Sequence, residues 1–206
     1  MSAMNPYRTL RQSASDEFII NKSRFIGYAA PCETEAEALA FLQSIRTKHK
    51  DATHNCYAYI IGQNAGIMRY SDDGEPAKTA GTPALEVLQH SGLTDLIVVI
   101  TRYFGGVLLG TGGLVRAYTT ATSRALEAAE VVTVRSVVAL DVTVDYGLYE
   151  RADLLIKAAG GKLAEPEFTD KVTLRWQMPE HTEGPLLTQL QELTRGTANV
   201  TVSEPF

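Results

Sequence analysis

Residues 101–116, TRYFGGVLLGTGGLVR, come directly after LIVVI at 96–100, the most apolar segment of the chain. The apolar segment predicts a buried strand over 96–102, and the pattern after the glycines predicts a helix over 114–128. The five glycines of this stretch leave backbone N–H groups open to a close partner, and a helix N-terminus favours anions. We therefore predict an anion site, with Arg116 in the first helical turn. The alternative is a tight connection that needs glycine only for packing.

The glycine stretch matches neither standard phosphate-binding fingerprint. Residues 105–111 lack the lysine of the P-loop, and Val115 stands where a dinucleotide-binding loop has its third glycine. The sequence therefore predicts no nucleotide cofactor, and nothing else in it indicates another cofactor.

Composition predicts an acidic globular protein. The chain has 206 residues, 45% of them hydrophobic, and a formal net charge of −5 that comes mostly from residues 133–206. Strong nucleic-acid binding usually needs a basic excess, so we expect at most local RNA contacts and no DNA binding. No apolar run has the length of a membrane span or a signal peptide, which predicts a cytoplasmic protein without membrane contacts. Cys32 and Cys56 lack CxxC spacing and are expected to be reduced thiols.

Residues 1–132 predict an α+β domain. Its first helix is predicted to begin at Thr34, because Glu37 stands at capping-box spacing and apolar residues then recur at helical intervals. Residues 71–83 show no periodicity, and a loop of that length inside a domain is usually functional. Thr82 as N-cap and Pro83 at the first helical position predict the next helix, to about residue 90. The predicted strands are 18–22, 25–30, 54–61, 67–70 and 96–102.

Residues 133–206 predict a second domain, a ferredoxin-like sandwich. The predicted order is strand 134–144, helix 148–159, strands 162–168 and 171–178, helix 185–194 and strand 198–202, which is βαββαβ. This arrangement places two helices on one face of an antiparallel sheet. Alternation in the fourth element points Trp176 inward and no aromatic residue outward, so the base-stacking surface of RNA-recognition sheets is absent.

Three acidic residues, Asp72, Asp73 and Glu75, surround Gly74 in the long loop. Carboxylates can hold a hard cation, but the EF-hand spacing is absent and we predict no metal site. Ion pairs with basic residues from other segments explain the acids equally well. These basic residues are Lys22, Arg24, Arg102 and Arg116.

His54 and Cys56 are two residues apart on a predicted strand and therefore lie on the same face. Their Cα atoms would be roughly 6.5 Å apart, which is poor geometry for a thiolate–imidazole pair. A buried cysteine and a hydrogen-bonded histidine are favoured over a nucleophile and its base. No other nucleophile, base and acid set is recognisable, which argues against an enzyme.

Three blocks resemble the IMPACT family in its bacterial YigZ-like form: THNCYAYIIG at 53–62, YSDDGEPAKTAGTPAL at 70–85 and TRYFGGVLLGTGGLVRAY at 101–118. The resemblance implies an N-terminal domain of the left-handed βαβ type, similar to a small-subunit ribosomal protein domain. It also implies a C-terminal domain similar to the last domain of elongation factor G. Eukaryotic relatives act in translational control by binding the activator of a starvation-responsive kinase through an extra domain, which this chain is too short to carry.

The resemblance marks motif positions and no established catalytic residues. The positions that match the family motifs are Lys22, Arg24, His54, Asp72, Asp73, Glu75, Thr79, Gly81, Thr101, Arg102, Tyr103, Gly105, Gly106, Gly110, Gly113 and Arg116. The predicted anion or RNA site consists of Lys22, Arg24, Arg102, Gly110, Gly112, Gly113 and Arg116. The predicted loop site consists of His54, Asp72, Asp73, Glu75, Thr79, Thr101 and Tyr103.

Two hypotheses for function follow. The first is a non-enzymatic regulator of translation, of the kind used in stress responses, that weakly binds RNA, the ribosome or a translation factor through the face formed by the three blocks. The second is an enzyme or small-ligand binder in which arginines and glycines hold an anion and the acidic loop holds a cation. A fold alone does not decide function. The absence of the P-loop lysine and of a nucleophile set favours the first hypothesis.

Overall fold

The structure is a computed structural model that describes residues 5–206. It contains two compact units, one formed by Tyr7–Val134 and the other containing Arg135–Phe206. Each unit mixes helices with strands and has a hydrophobic core of its own. The predicted α+β class with two domains is therefore confirmed.

The first unit contains seven strands and three helices. Its strands are β1 (Tyr7–Leu10), β2 (Ala14–Ile20), β3 (Ser23–Pro31), β4 (His54–Ile61), β5 (Ile67–Ser71), β6 (Leu96–Tyr103) and β7 (Val131–Val134). Its helices are α1 (Glu35–Lys48), α2 (Gly81–Ser91) and α3 (Gly110–Glu127). The α1 helix begins as predicted, with the Thr34 side chain accepting a hydrogen bond from the Glu37 amide.

Five of these strands form an antiparallel sheet in the order β2-β3-β6-β4-β5, with β6 at its centre. On one face Ile97 and Val99 of β6 join the core beneath α1, and on the other Val98 and Ile100 join the core beneath α2 and α3. A strand covered on both faces needs apolar residues at successive positions, which explains the uninterrupted run at 96–100. The strands β3 and β4 flank β6 in the same direction and are connected through α1.

Two helix starts in the first unit differ from the prediction. Helix α3 begins at Gly110, four residues before the predicted start at 114, because the glycines 110, 112 and 113 form its first turn instead of preceding it. Helix α2 begins at Gly81 with Ala80 as N-cap, so the assignment of Thr82 as N-cap and Pro83 as first helical residue is wrong. Pro83 still lies in the first turn, where its missing N–H costs no hydrogen bond.

The second unit has the predicted βαββαβ order. Its elements are β8 (Val137–Val144), α4 (Tyr146–Ala158), β9 (Lys162–Leu163), β10 (Glu167–Phe168), β11 (Val172–Pro179), α5 (Gly184–Leu193) and β12 (Val200–Val202). The sheet runs β10-β11-β8-β12, and β9 also pairs with β11. Trp176 of β11 is 2% exposed and packs with residues of α4 and α5, so its predicted burial is confirmed.

Two predicted strands of this half are each divided in the structure. Predicted strand 134–144 is interrupted after β7, which pairs with β1 inside the first unit, and it resumes as β8. Predicted strand 162–168 forms only β9 and β10, which pair with different parts of β11. Pro166 lies between them, and proline lacks the N–H that a continuous ladder needs.

Candidate functional site

A cavity of about 420 Å³ lies in the first unit, between the loop that precedes α2 and the start of α3. Its polar lining includes His54 of β4, Glu75 of the loop, Arg102 of β6 and Thr111 of α3. These four residues come from all three sequence blocks. The apolar lining consists of Pro76, Phe104, Leu108, Leu109 and Leu114.

Glu75 is the centre of a buried polar network beside this cavity. Its side chain is 3% exposed, and its Oε1 accepts hydrogen bonds from Arg102 Nη1 at 2.6 Å and from the Tyr118 hydroxyl at 2.7 Å. His54 Nε2 lies 3.8 Å from the same oxygen. Within residues 5–206 no hydrogen bond reaches the other carboxylate oxygen, Oε2. Glu75 therefore uses one carboxylate oxygen for its ion pair with Arg102, while its Oε2 has no hydrogen-bond donor within residues 5–206.

Arg102 is held by its neighbours but is incompletely hydrogen bonded. Its guanidinium lies 5.3 Å from the ring centre of Phe25 and 5.4 Å from that of Phe104, and Nη2 reaches Ser23 Oγ at 3.4 Å. Its buried Nε has no hydrogen-bond partner within residues 5–206. A buried donor without an acceptor costs about 1–3 kcal/mol. The surroundings of Arg102 therefore provide no acceptor for its Nε within residues 5–206.

The hydrogen bonds of His54 fix the orientation and tautomer of its ring. Nδ1 lies 2.8 Å from the carbonyl oxygen of Asp73, and because a carbonyl only accepts, Nδ1 is the donor. In the neutral ring the lone pair is then on Nε2, on the side of Glu75. A free imidazole nitrogen next to a cavity can accept a proton or a hydrogen bond from a bound molecule.

Cys56 is fully buried below this network and is a poor nucleophile. Its Sγ donates to the carbonyl oxygen of Asp72 at 3.0 Å. Burial raises the pKa of the Cys56 thiol and also the pKa of the nearby Tyr118 hydroxyl above their ordinary values. The structure thus confirms a buried cysteine beside a hydrogen-bonded histidine.

The three loop acids have separate partners. Both carboxylate oxygens of Asp72 accept backbone amides: Oδ1 those of Ala80 and Gly81 at 3.0 and 2.8 Å, and Oδ2 that of Lys78 at 2.8 Å. Asp72 therefore caps α2 from a distance.

Asp73 has partners that differ from those of Asp72 and Glu75. It pairs with Arg46 at 3.0 Å and accepts from the Asn55 amide at 2.6 Å. Within residues 5–206 the structure contains no group of three or more His, Cys, Asp or Glu side chains placed to hold a metal ion.

The basic residues of the predicted anion site differ in their position relative to the cavity, which Lys22, Arg24 and Arg116 do not line. Arg102 lines the cavity, whereas Lys22 lies in the turn between β2 and β3, and exposed Arg24 pairs with Glu17. The prediction that Arg116 lies in the first turn of α3 is wrong. Helix α3 starts six residues before Arg116, at Gly110, so Arg116 is an exposed residue of the second turn and does not line the cavity.

The glycines that follow β6, including those in the first turn of α3, have different roles. A Cβ on Gly105 would lie 2.0 Å from the backbone carbon of Lys22, so this glycine permits close packing of two loops. Gly113 is buried, and a Cβ there would lie 3.1 Å from the Leu109 side chain. Gly110 has a φ of +69° and, like Gly112, faces open space. Packing explains the first two, while the last two leave the start of α3 accessible.

The remaining predicted site residues do not line the cavity, and Tyr103 packs against the core beneath α1, on the other face of the sheet. Thr79 Oγ1 donates to the Pro76 carbonyl oxygen at 2.6 Å, and Thr101 Oγ1 donates to Asn55 Oδ1 at 2.8 Å. The Tyr103 hydroxyl lies 2.8 Å from His49 Nδ1.

Sequence reasoning missed two members of the network, Ser23 and Tyr118. Tyr118 ends the third block, and this is the signal that could have identified it.

The comparison with known families decides the identity. The profile of the Impact N-terminal domain matches residues 21–126, and that of a domain of unknown function, DUF1949, matches residues 142–197. The chain belongs to the IMPACT family. It is 36% identical over 201 residues to the IMPACT family member YvyE of Bacillus subtilis, covering 98% of this chain and 93% of that protein. It is 35% identical over 189 residues to the IMPACT family member YigZ of Escherichia coli, covering 90% and 92%.

The chain is also similar to a eukaryotic protein and to a protein of known structure. Protein IMPACT of Xenopus laevis is 36% identical over 94 residues, which is 43% of this chain and 30% of that protein. A crystal structure described as that of a hypothetical protein superposes with a TM-score of 0.64 at 32% identity, covering 98% of each chain. The predicted recognition of a bacterial YigZ-like member is therefore confirmed.

No helix within residues 5–206 combines the length and the apolar character that crossing a bilayer requires.

Proposed function

We propose that this IMPACT family protein is a non-enzymatic, cytoplasmic regulator associated with translation, which binds RNA on the ribosome through its N-terminal unit. Family membership supports a role related to the regulation of translation. The observation that carries the proposal is the convergence of all three sequence blocks on one cavity and its rim. Residues far apart in sequence that meet at one surface point to a binding face.

The rim of the cavity has the chemistry that unpaired RNA requires. Phe104 is 44% exposed and Leu108 84% exposed, and the loop that carries them packs against the turn that contains Lys22. An exposed aromatic ring can stack on an unpaired base while lysine and arginine contact phosphates. This combination supports RNA as the part of the ribosome that is bound.

The ion pairs limit how strong this binding is. Arg102 pairs with Glu75, and Arg24 pairs with Glu17, whereas Lys22 and Arg116 form no ion pair within residues 5–206. With two phosphates contacted, log K falls by roughly 1.4–1.8 per unit of log salt concentration. This is a shallow dependence, in keeping with weak association.

Sedimentation with purified ribosomes at several salt concentrations tests the proposal. We expect the double variant Lys22→Glu/Arg116→Glu to lose binding. The matched control Arg151→Glu/Lys162→Glu changes the charge equally at two exposed residues of the second unit and should bind like the wild type. Equal binding by both double variants, or a salt dependence of zero, would refute the proposed face.

A small-ligand binder is the second candidate, and one observation favours it specifically. His54, Glu75 and Arg102 line a cavity of small-molecule size, and the Nε of Arg102 has no hydrogen-bond partner within residues 5–206. Cation binding by the acidic loop has no such support, because Asp72 and Asp73 are engaged elsewhere.

A further inference from the structure

We propose that the cavity at the start of α3 binds a small organic anion, a carboxylate or phosphate group carried on an apolar body. The inference rests on the small-ligand candidate above and does not depend on ribosome association. Different residues of the cavity would contact the anionic end and the apolar end of the ligand.

The anion end combines two independent features. Helix α3 has Leu109 as its N-cap, with no side-chain hydrogen bond to the first-turn amides, and Gly110 and Thr111 line the cavity. The first amides of a helix lack intrahelical acceptors and attract anions. Arg102, which lines the same cavity and is 5% exposed, has a buried Nε without a partner in residues 5–206. The helix amides and the Arg102 guanidinium both favour a negatively charged group in this cavity.

The existing ion pair limits the charge of the ligand. Glu75 already neutralises Arg102 through a 2.6 Å contact, so the helix end supplies most of the positive potential. A monoanion fits this balance better than a polyanion such as a nucleoside triphosphate. His54 Nε2 can accept a hydrogen bond from a hydroxyl of the ligand, including that of a protonated phosphate.

The apolar end distinguishes this ligand from the RNA backbone. Leu108, Leu109, Leu114 and Pro76 line the cavity, and the half-exposed ring of Phe104 covers the guanidinium of Arg102. Ribose and phosphate would leave these groups unmatched, whereas a hydrocarbon body removes them from water. The volume of about 420 Å³ is within the range of roughly 300–1,000 Å³ that is common for small-molecule sites.

Thermal denaturation of the full chain with four probes tests the proposal. The probes are hexyl phosphate, hexanoate, 1-hexanol and a short uridine oligonucleotide. A ligand that binds the folded state raises its melting temperature. We expect a concentration-dependent rise with hexyl phosphate or hexanoate that exceeds any rise with 1-hexanol or the oligonucleotide.

A pair of threonine substitutions on one helix locates the site. Thr111→Glu places a carboxylate at the second helical position, where acidic residues stabilise a helix, so the fold is retained while an anion is repelled. A like charge about 5 Å from the ligand at an effective dielectric of about 40 weakens binding roughly tenfold or more. Thr120→Glu adds the same charge at an exposed residue further along α3 and should leave binding unchanged.

Each of the other outcomes overturns the assignment. No shift with either organic anion, or an equal shift with 1-hexanol, would show that the cavity holds no anion. A shift with the oligonucleotide alone would assign the cavity to RNA. Binding by Thr111→Glu that equals that of Thr120→Glu would place the anion elsewhere. Ribosome sedimentation of the same variants reports separately on the proposed translational role.

Discussion

Breaking the buried pair between Arg102 and Glu75 should destabilise the first unit strongly. Both side chains are at most 6% exposed and are joined by a 2.6 Å contact. Removing one partner of such a pair leaves an uncompensated buried charge, which costs about 3–5 kcal/mol. We expect losses of this size for Glu75→Gln and for Arg102→Met.

The double variant should be much less damaged than the sum of the two single variants. With both charges gone, neither remains buried without its partner, so a coupling energy of about 2–3 kcal/mol is expected for groups in direct contact. Arg24→Met removes an arginine from an exposed pair with Glu17 and is the matched control, for which little or no change is expected.

Urea denaturation followed by far-ultraviolet circular dichroism and by hydrogen exchange of the β6 amides is the appropriate assay. Fluorescence of the single tryptophan, Trp176, would report on the second unit instead. Two units with separate cores need not unfold in one transition, so a probe inside the first unit is essential. Additive losses in the double variant would refute the view that the pair is energetically coupled.

Other perturbations test the frame around the site. Asp72→Ala removes the acceptor for three amides and should cost about 2–4 kcal/mol in urea denaturation, whereas a loss as small as that of exposed Asp170→Ala would contradict its capping role. Burial lowers the pKa of His49 below its ordinary value of 6.5, so as the pH drops through 6.5 the unfolded chain binds the proton before the folded chain does and stability should fall. His49→Gln should flatten this pH dependence in urea titrations between roughly pH 5 and 8, the range in which histidine titrates. An unchanged pH dependence in the variant would contradict this account. Burial raises the pKa of Cys32 to about 12 and also raises the pKa of Cys56, so both should react with a thiol reagent only as fast as the chain unfolds, and rapid labelling of the native protein would contradict their placement.

The central strand and the first helix of the N-terminal unit could be predicted because their signals are local. An unbroken apolar run of five residues predicts a strand covered on both faces, which is the position of β6. Thr34 and Glu37 lie within one helical turn of each other, so the start of α1 is readable from adjacent residues.

The starts of α2 and α3 could not be predicted in the same way, because no residue at either N-cap position provides a side-chain cap. Helix α2 is capped by Asp72, eight residues before Ala80, across an irregular loop. The first turn of α3 consists largely of glycine, which local propensity counts against a helix.

The candidate site depends on even longer separations. Glu75 meets Tyr118 across 43 residues and Arg102 across 27, and Ser23 meets Arg102 across 79. Sequence patterns indicate which segments carry polar residues, but the strand order β3-β6-β4 decides which of them face each other. This is why Arg102 and Glu75 were among several predicted pairs, whereas the pairing of Asp73 with Arg46 was not foreseen.

The pairing of β1 with β7 has a mechanical consequence. Tyr7 is opposite Val134 and Leu10 is opposite Val131, so the chain enters and leaves the first unit at the same end of a short antiparallel ladder. A force that pulls these two ends apart loads the ladder one hydrogen bond at a time, as in opening a zipper, and does not shear all its bonds together. A protease or translocating motor pulling on the chain would therefore separate β1 from β7 at low force, while the five-stranded sheet remains intact.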